Sequence, residues 1–108
     1  MARYMIQFSY TKEAAAAMVR KPEDRSKAIG ALAEEMGGRV LDFYFAFGDY
    51  DGVLIADLPD NTVALATVMA AVSPGHVAAI KTTVLLTPAE AVAAMEKAAG
   101  VSYKGPGT

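Results

Sequence analysis

Two aspartates and a tyrosine are the side chains of this protein best suited to acid–base chemistry. Asp42 and Tyr44 alternate in the apolar run "RVLDFYFAF", and Asp57 sits in "GVLIADLP". The connection between the two runs is "GDYDG". If Gly48 and Asp51 face each other across a tight turn, Tyr44 lies opposite Ile55 and Asp42 opposite Asp57. Facing carboxylates repel unless a cation pairs with them or one keeps its proton. A retained proton would make a general acid, with Tyr44 as a second proton-transfer group. The same face is expected to carry Gln7 and Ser9 from the first strand and Lys81 and Thr83 from the last. Together with Tyr50 at the turn, these four form a candidate ligand-binding set. The bland alternative is an ion-pair network at the sheet rim, with Lys81 as counter-ion.

Other chemistries fit the residues poorly. A calcium loop needs an oxygen ligand where Phe47 stands and a distal glutamate, and "VLIADLP" supplies strand residues instead. A phosphate cradle needs a different glycine spacing, a lysine and a following helix. There is no cysteine and a single histidine, His76. Thiolate metal sites, disulfides and a cysteine nucleophile are therefore excluded. His76, in "SPGH", reads as a loop residue ahead of a strand, so no metal, haem or other cofactor is expected. A formal net charge of −2 gives no basic footprint for nucleic acid. The first ten residues lack a signal-peptide core, and no apolar run is long enough to span a membrane. A cytoplasmic protein is the expectation.

The elements that must position these residues follow from periodicity. "RYMIQFSY" alternates, with Tyr4, Ile6, Phe8 and Tyr10 on one face. Thr11 caps a short helix, "KEAAAAMVR", which Pro22 ends. Pro22 then opens a second helix over residues 22–38, with Arg25, Ile29, Leu32, Ala33 and Met36 as its inner stripe. Strands are predicted over residues 39–47 and 52–59, with Leu41, Phe43, Phe45 and Phe47 on one face of the first. Asp60 caps a helix in which Leu65, Val68, Met69 and Val72 keep helical spacing. A fourth strand lies within "HVAAIKTTVLL". Thr87, Pro88 and Glu90 start a last helix reaching about Ala99. Residues 1–99 make one domain and residues 100–108 a loose tail. This β-α-β-β-α-β-α order is the α+β, ferredoxin-like βαββαβ arrangement with an extra C-terminal helix: an antiparallel four-stranded sheet with helices on one face. The other face, carrying Met5, Val53, Ile55 and Leu85, is bare, and a hydrophobic fraction of 54% points the same way. A homodimer or larger homo-oligomer is expected to cover it. The aromatic side chains make ordinary core or line a pocket between sheet and helices, and the hydroxyls of Tyr4 and Tyr10 need partners if buried.

Read in order, "QFSYT", "PEDR", "MGGRV", "FGDYDGVLIADLPDN" and "KTTVLLTPAEA" give the chain a resemblance to the GYD-domain family. The resemblance implies membership of the dimeric α/β-barrel group, in which two ferredoxin-like units pair sheet to sheet. That group includes cofactor-free monooxygenases, lactone isomerases and haem-degrading enzymes, while the GYD branch implies no settled activity. Three functions stay open: a small-molecule-binding homodimer, a cofactor-independent enzyme on a small carbonyl or aromatic compound, and a structural assembly module. "GDYDG" itself is expected to be a hairpin turn in which Asp49 or Asp51 bonds turn amides. Tyr50 is not needed for a turn, so it packs on a partner subunit or closes a pocket.

Overall fold

The computed structural model describes residues 1–107. Four strands form an antiparallel sheet of order β2-β3-β1-β4: β1 Ala2–Tyr10, β2 Arg39–Phe45, β3 Gly52–Leu58 and β4 Val77–Leu85. The helices are α1 Lys12–Arg20, α2 Ser26–Glu35, α3 Asn61–Val72 and α4 Pro88–Ala99. The ferredoxin-like arrangement is therefore present. Tyr4, Ile6 and Phe8 of β1 and Leu54, Ala56 and Leu58 of β3 are buried under the helices. Their alternation with half-exposed neighbours is the two-residue period of a sheet covered on one side.

The caps explain where the helices begin. Thr11 accepts from Ala14 N, and Asp60 accepts from Val63 N. Thr87 and Glu90 exchange bonds in a complete capping box. The second helix is shorter than its pattern predicts and starts at Ser26, not at Pro22. Asp24 Oδ1 accepts from both the amide and the hydroxyl of Ser26, so the local backbone turns before it can coil. In α3 the buried residues are Ala64 and Thr67, whereas Leu65 and Met69 are exposed. The first turn is pinned by the Asp60 cap and by Tyr4 Oη, which donates to Asn61 Oδ1 at 2.6 Å. That anchor sets the rotation of the helix and lays its small-residue side on the sheet.

The β2–β3 connection corrects the expected register. It spans residues 46–51 and is closed by Ala46 N donating to Asp51 O at 2.8 Å. Asp51 does not stand at the corner of a tight turn. Its amide donates to Phe8 O, and its carboxylate accepts from Tyr10 N. Asp51 thus extends the β1–β3 ladder, and the expected bond to a turn amide goes to β1 instead. Tyr44 then pairs with Val53 and Asp42 with Ile55, two residues from the expected register. A slip of two keeps the faces, so Asp42 and Tyr44 remain on the open side. A bulge at Leu41 then shifts the pairing by one further residue. It turns Val40 into the core, so that slip and bulge together set Arg39, not Asp42, opposite Asp57. β2 also stops before Phe47, which is fully exposed.

Asp57 therefore meets cations. Arg3 Nε and Nη2 donate to its two carboxylate oxygens at 2.8 and 3.1 Å, and Arg39 lies 3.8 Å away. The Arg3 hydrogen bonds hold the Asp57 carboxyl below the usual carboxylate range, against the opposing effect of burial. A depressed native pKa contributes stability that is present above the unfolded-state pKa and lost as pH falls through the native one. Asp57→Asn should lower the melting temperature at neutral pH. The gap to wild type should narrow on acidification below about pH 5; thermal melts across that range check it, and a constant gap would refute the assignment.

Gly52 is the second test of this geometry. A Cβ there would stand 2.4 Å from the Phe8 ring. Phe8 is buried and packs edge-on against Tyr10 at 5.4 Å, so the ring has little room to yield. Gly52→Ala should cost about 1–3 kcal/mol, the usual penalty for overpacking, read as a lower urea midpoint.

Candidate functional site

The expected open-face cluster divides into two groups. At one end, Asp57 is bound by Arg3 and Arg39, and Asp42 lies within electrostatic reach of Arg3. Arg3 and Arg39 are the compensating cations in place of Lys81. At the other end, Gln7 pairs with both Val53 and Lys81. Gln7, Tyr50 and Lys81 line a broad open depression together with Asp49 and Val53. Ser9 Oγ donates to Asp49 O at 3.1 Å, and Thr83 lies beside Met5. Four strand positions separate Asp57 from Lys81, about 13 Å along the sheet. The structure thus brings Gln7, Ser9, Tyr50 and Lys81 together, leaves Thr83 between the groups, and separates Asp42 and Asp57 from Lys81 along the strands. It sets Tyr44 in the row of Val53, Gln7 and Lys81 but on β2, three strands from Lys81.

A more enclosed site lies on the other side of the sheet. Between the sheet and helices α2 and α3 is an apolar cavity of about 250 Å³. Ile6, Leu54 and Ile80 form its floor; Leu32 and Val68 contribute to its roof. The inner stripe of α2 read from the sequence supplies Arg25, Ile29, Leu32 and Ala33 to this wall. The stripe was legible; the cavity was not, because it depends on how far the helices stand from the sheet.

The polar lining gathers at one end. Tyr10 pairs with Val77, and Thr11 N donates to His76 O at 2.9 Å, which sets the β1 terminus beside the start of β4. Tyr10, Arg25 and His76 all line the cavity there. The Tyr10 hydroxyl is buried and makes no well-formed hydrogen bond; the Arg25 guanidinium adjoins its oxygen as a potential donor, and the phenol proton itself has no acceptor. Burial raises its pKa, while the Arg25 guanidinium nearby acts in the opposite sense. Arg25 itself is bound to Glu23 at 2.9 Å on the outer side. Thr67, also on the wall, is satisfied by Val63 O. Tyr4 offers the contrast: its hydroxyl has Asn61. A buried hydroxyl without a partner costs on the order of 1–3 kcal/mol, a cost that Tyr10 carries and Tyr4 avoids.

Among the described residues, no group of three or more histidine, cysteine, aspartate or glutamate side chains could hold a metal ion, and no helix is long and apolar enough to cross a membrane.

Comparison with known proteins bears on the fold and the family. No curated protein matches the chain. Among solved structures, the crystal structure of MtbAldR is similar, with a TM-score of 0.58 and 17% sequence identity. The likeness covers 80% of this chain and 53% of that one, so the present chain spans about half the length of MtbAldR. At that identity the likeness speaks for the fold. The model of the GYD domain matches residues 4–95, nearly the whole of the sheet and its helices, and the chain belongs to the GYD-domain family.

Proposed function

We propose that this protein is a small-molecule-binding homodimer whose ligand occupies the cavity between the sheet and helices α2 and α3. The observation that carries this reading is the Tyr10 hydroxyl, buried and unpartnered at the polar end of an otherwise apolar cavity. Binding sites are typically concave and apolar with a few convergent polar groups. At about 250 Å³ the cavity is just below the drug-sized range of roughly 300 Å³ and above, which favours a small ligand. The alternative of an acid–base enzyme working from Asp42, Tyr44 and Asp57 draws less support. Asp57 is engaged by arginine and stands opposite Arg39, so the open face lacks a facing carboxylate pair that would share a proton.

Pairing of two copies is supported by surface that one chain leaves uncovered. Met5, Val53, Ile55 and Leu85 of the open face are only half-buried. Helix α4 has no buried residue, and Val92 and Met95 on it are exposed. The chain extends over 60 Å in its longest dimension and 22 Å in its shortest. A helix of this length is marginal in water without tertiary contacts, so α4 favours docking on a second copy.

Native mass spectrometry of the purified protein tests both halves. The expected result is a dimer or a multiple of it, with a small adduct that denaturation releases. A bare monomer at micromolar concentration would refute the reading. Ile55→Asp should dissociate the dimer, because an unpaired carboxylate would enter a dry interface; its mass by light scattering reads the outcome.

A further inference from the structure

We infer that the ligand is an amphiphilic anion, a small apolar carboxylate or an equivalent acid, with its head at Tyr10 and Arg25 and its apolar body along the cavity. The inference rests on the ligand-binding reading above and names the chemical class of the ligand. The asymmetry of the lining carries it. The floor and roof present aliphatic side chains, which select an apolar body. The polar end presents a phenol O–H and a guanidinium. The guanidinium only donates hydrogen bonds, and the unpartnered phenol is free to donate. No aspartate or glutamate lines the cavity, and the two nearest carboxylates are already engaged, Glu23 by Arg25 and Asp51 by the amide of Tyr10, so an ammonium head is less well matched there than an anion. A head that accepts from both donors and carries negative charge fits; a neutral alcohol fits less well, and a cation does not.

Two details strengthen the assignment. Glu23 holds Arg25 from the outer, exposed side. The contact is a surface ion pair, weak enough to share the guanidinium with a second acceptor. The Tyr10 ring is fixed in place, edge-on against Phe8, and its backbone amide is held by the Asp51 carboxylate. The hydroxyl is therefore preorganised, and its donor is unused until a ligand arrives.

The test is calorimetric titration of the full chain with octanoate, 1-octanol and octylamine, three probes of one body and three heads. Octanoate should bind at least roughly tenfold more tightly than octanol, the worth of one charge-assisted hydrogen bond, and octylamine should not bind. Tyr10→Phe should weaken octanoate by roughly tenfold, while the unliganded melting temperature stays level or rises, because an unsatisfied hydroxyl has been removed. A merely structural tyrosine would lower both together. Arg25→Gln, a change at a half-exposed position that should leave folding intact, should abolish the preference for octanoate over octanol. If octanoate and octanol bind wild type equally, and Arg25→Gln changes neither, the cavity binds ligands but the anionic class is wrong. If none of the three binds and native spectra show a bare chain, the ligand-binding reading falls with it.

Discussion

An alanine-rich helix layer cannot fill the space above a sheet that carries aromatic and branched side chains. That constraint shapes the rest of this molecule. Phe8 and Phe43, with ring centres 5.8 Å apart, stand up from the sheet toward the helices. Over Phe8 the helices contribute small residues to the same cavity wall, Ala33 of α2 buried and Ala71 of α3 half-buried, with Ala28 and Ala70 at its exposed edge. Large side chains elsewhere on α3, Leu65 and Met69, turn to the surface because Tyr4, Asn61 and Asp60 fix the rotation of the helix. Protein interiors normally pack without voids of this size. The unfilled volume follows from a particular choice of small residues on one layer and large ones on the other, and its lining gives up dispersion contacts that a bound molecule would restore.

The two tyrosines of β1 show how the sheet divides its tasks. Tyr4 and Tyr10 lie on the same face, six residues apart, and are chemically identical. Tyr4 is fully buried with its hydroxyl bonded to Asn61, and serves to place α3. Tyr10 is at the opposite end, where Arg25 and His76 open the layer to solvent, and its hydroxyl is left over. Periodicity treats the two positions alike. Only the hydrogen-bond inventory of the folded chain separates the anchor from the hydroxyl without an acceptor.

Much of this architecture was legible in the residues. Alternation in "RYMIQFSY", the Thr87–Glu90 box and the strand order all follow from local rules. The register between β2 and β3 was not. It hinges on Asp51, whose amide and carboxylate both bond β1, a partner some forty residues earlier that no local turn rule contains. The bulge at Leu41 is equally non-local: the two-residue slip moves Asp42 away from Asp57, and the one extra residue then places Arg39 there instead of Val40. Arg3 and Arg39 were overlooked as partners because a counter-ion is assigned by register: Arg39 reaches Asp57 through the slip and the bulge together, and Arg3 through the separate pairing of β1 with β3. The inner-stripe position of Arg25 was the available signal for the cavity. An arginine among Ile29, Leu32 and Ala33 is out of place in a core and in place at a mouth.

The segment "GDYDG" is where the two faces of the sheet meet. Gly48 takes a φ of +124°, a conformation that side chains disfavour, and lets the loop fold back over the sheet end. Gly52 lies flush against Phe8 and admits its ring. Asp51 holds the amide of Tyr10 on the cavity side, while Tyr50, the next residue back, lies half-buried with Gln7 and Lys81 on the open side. A turn would need the glycines and one aspartate. The second aspartate and the tyrosine are explained by what lies on either side: one carboxylate fixes the strand that presents the unpartnered hydroxyl, and one ring covers the surface left bare. The motif is therefore structural in its bonds, and its position at the junction ties the β1 terminus at the cavity end to the loop that borders the open face.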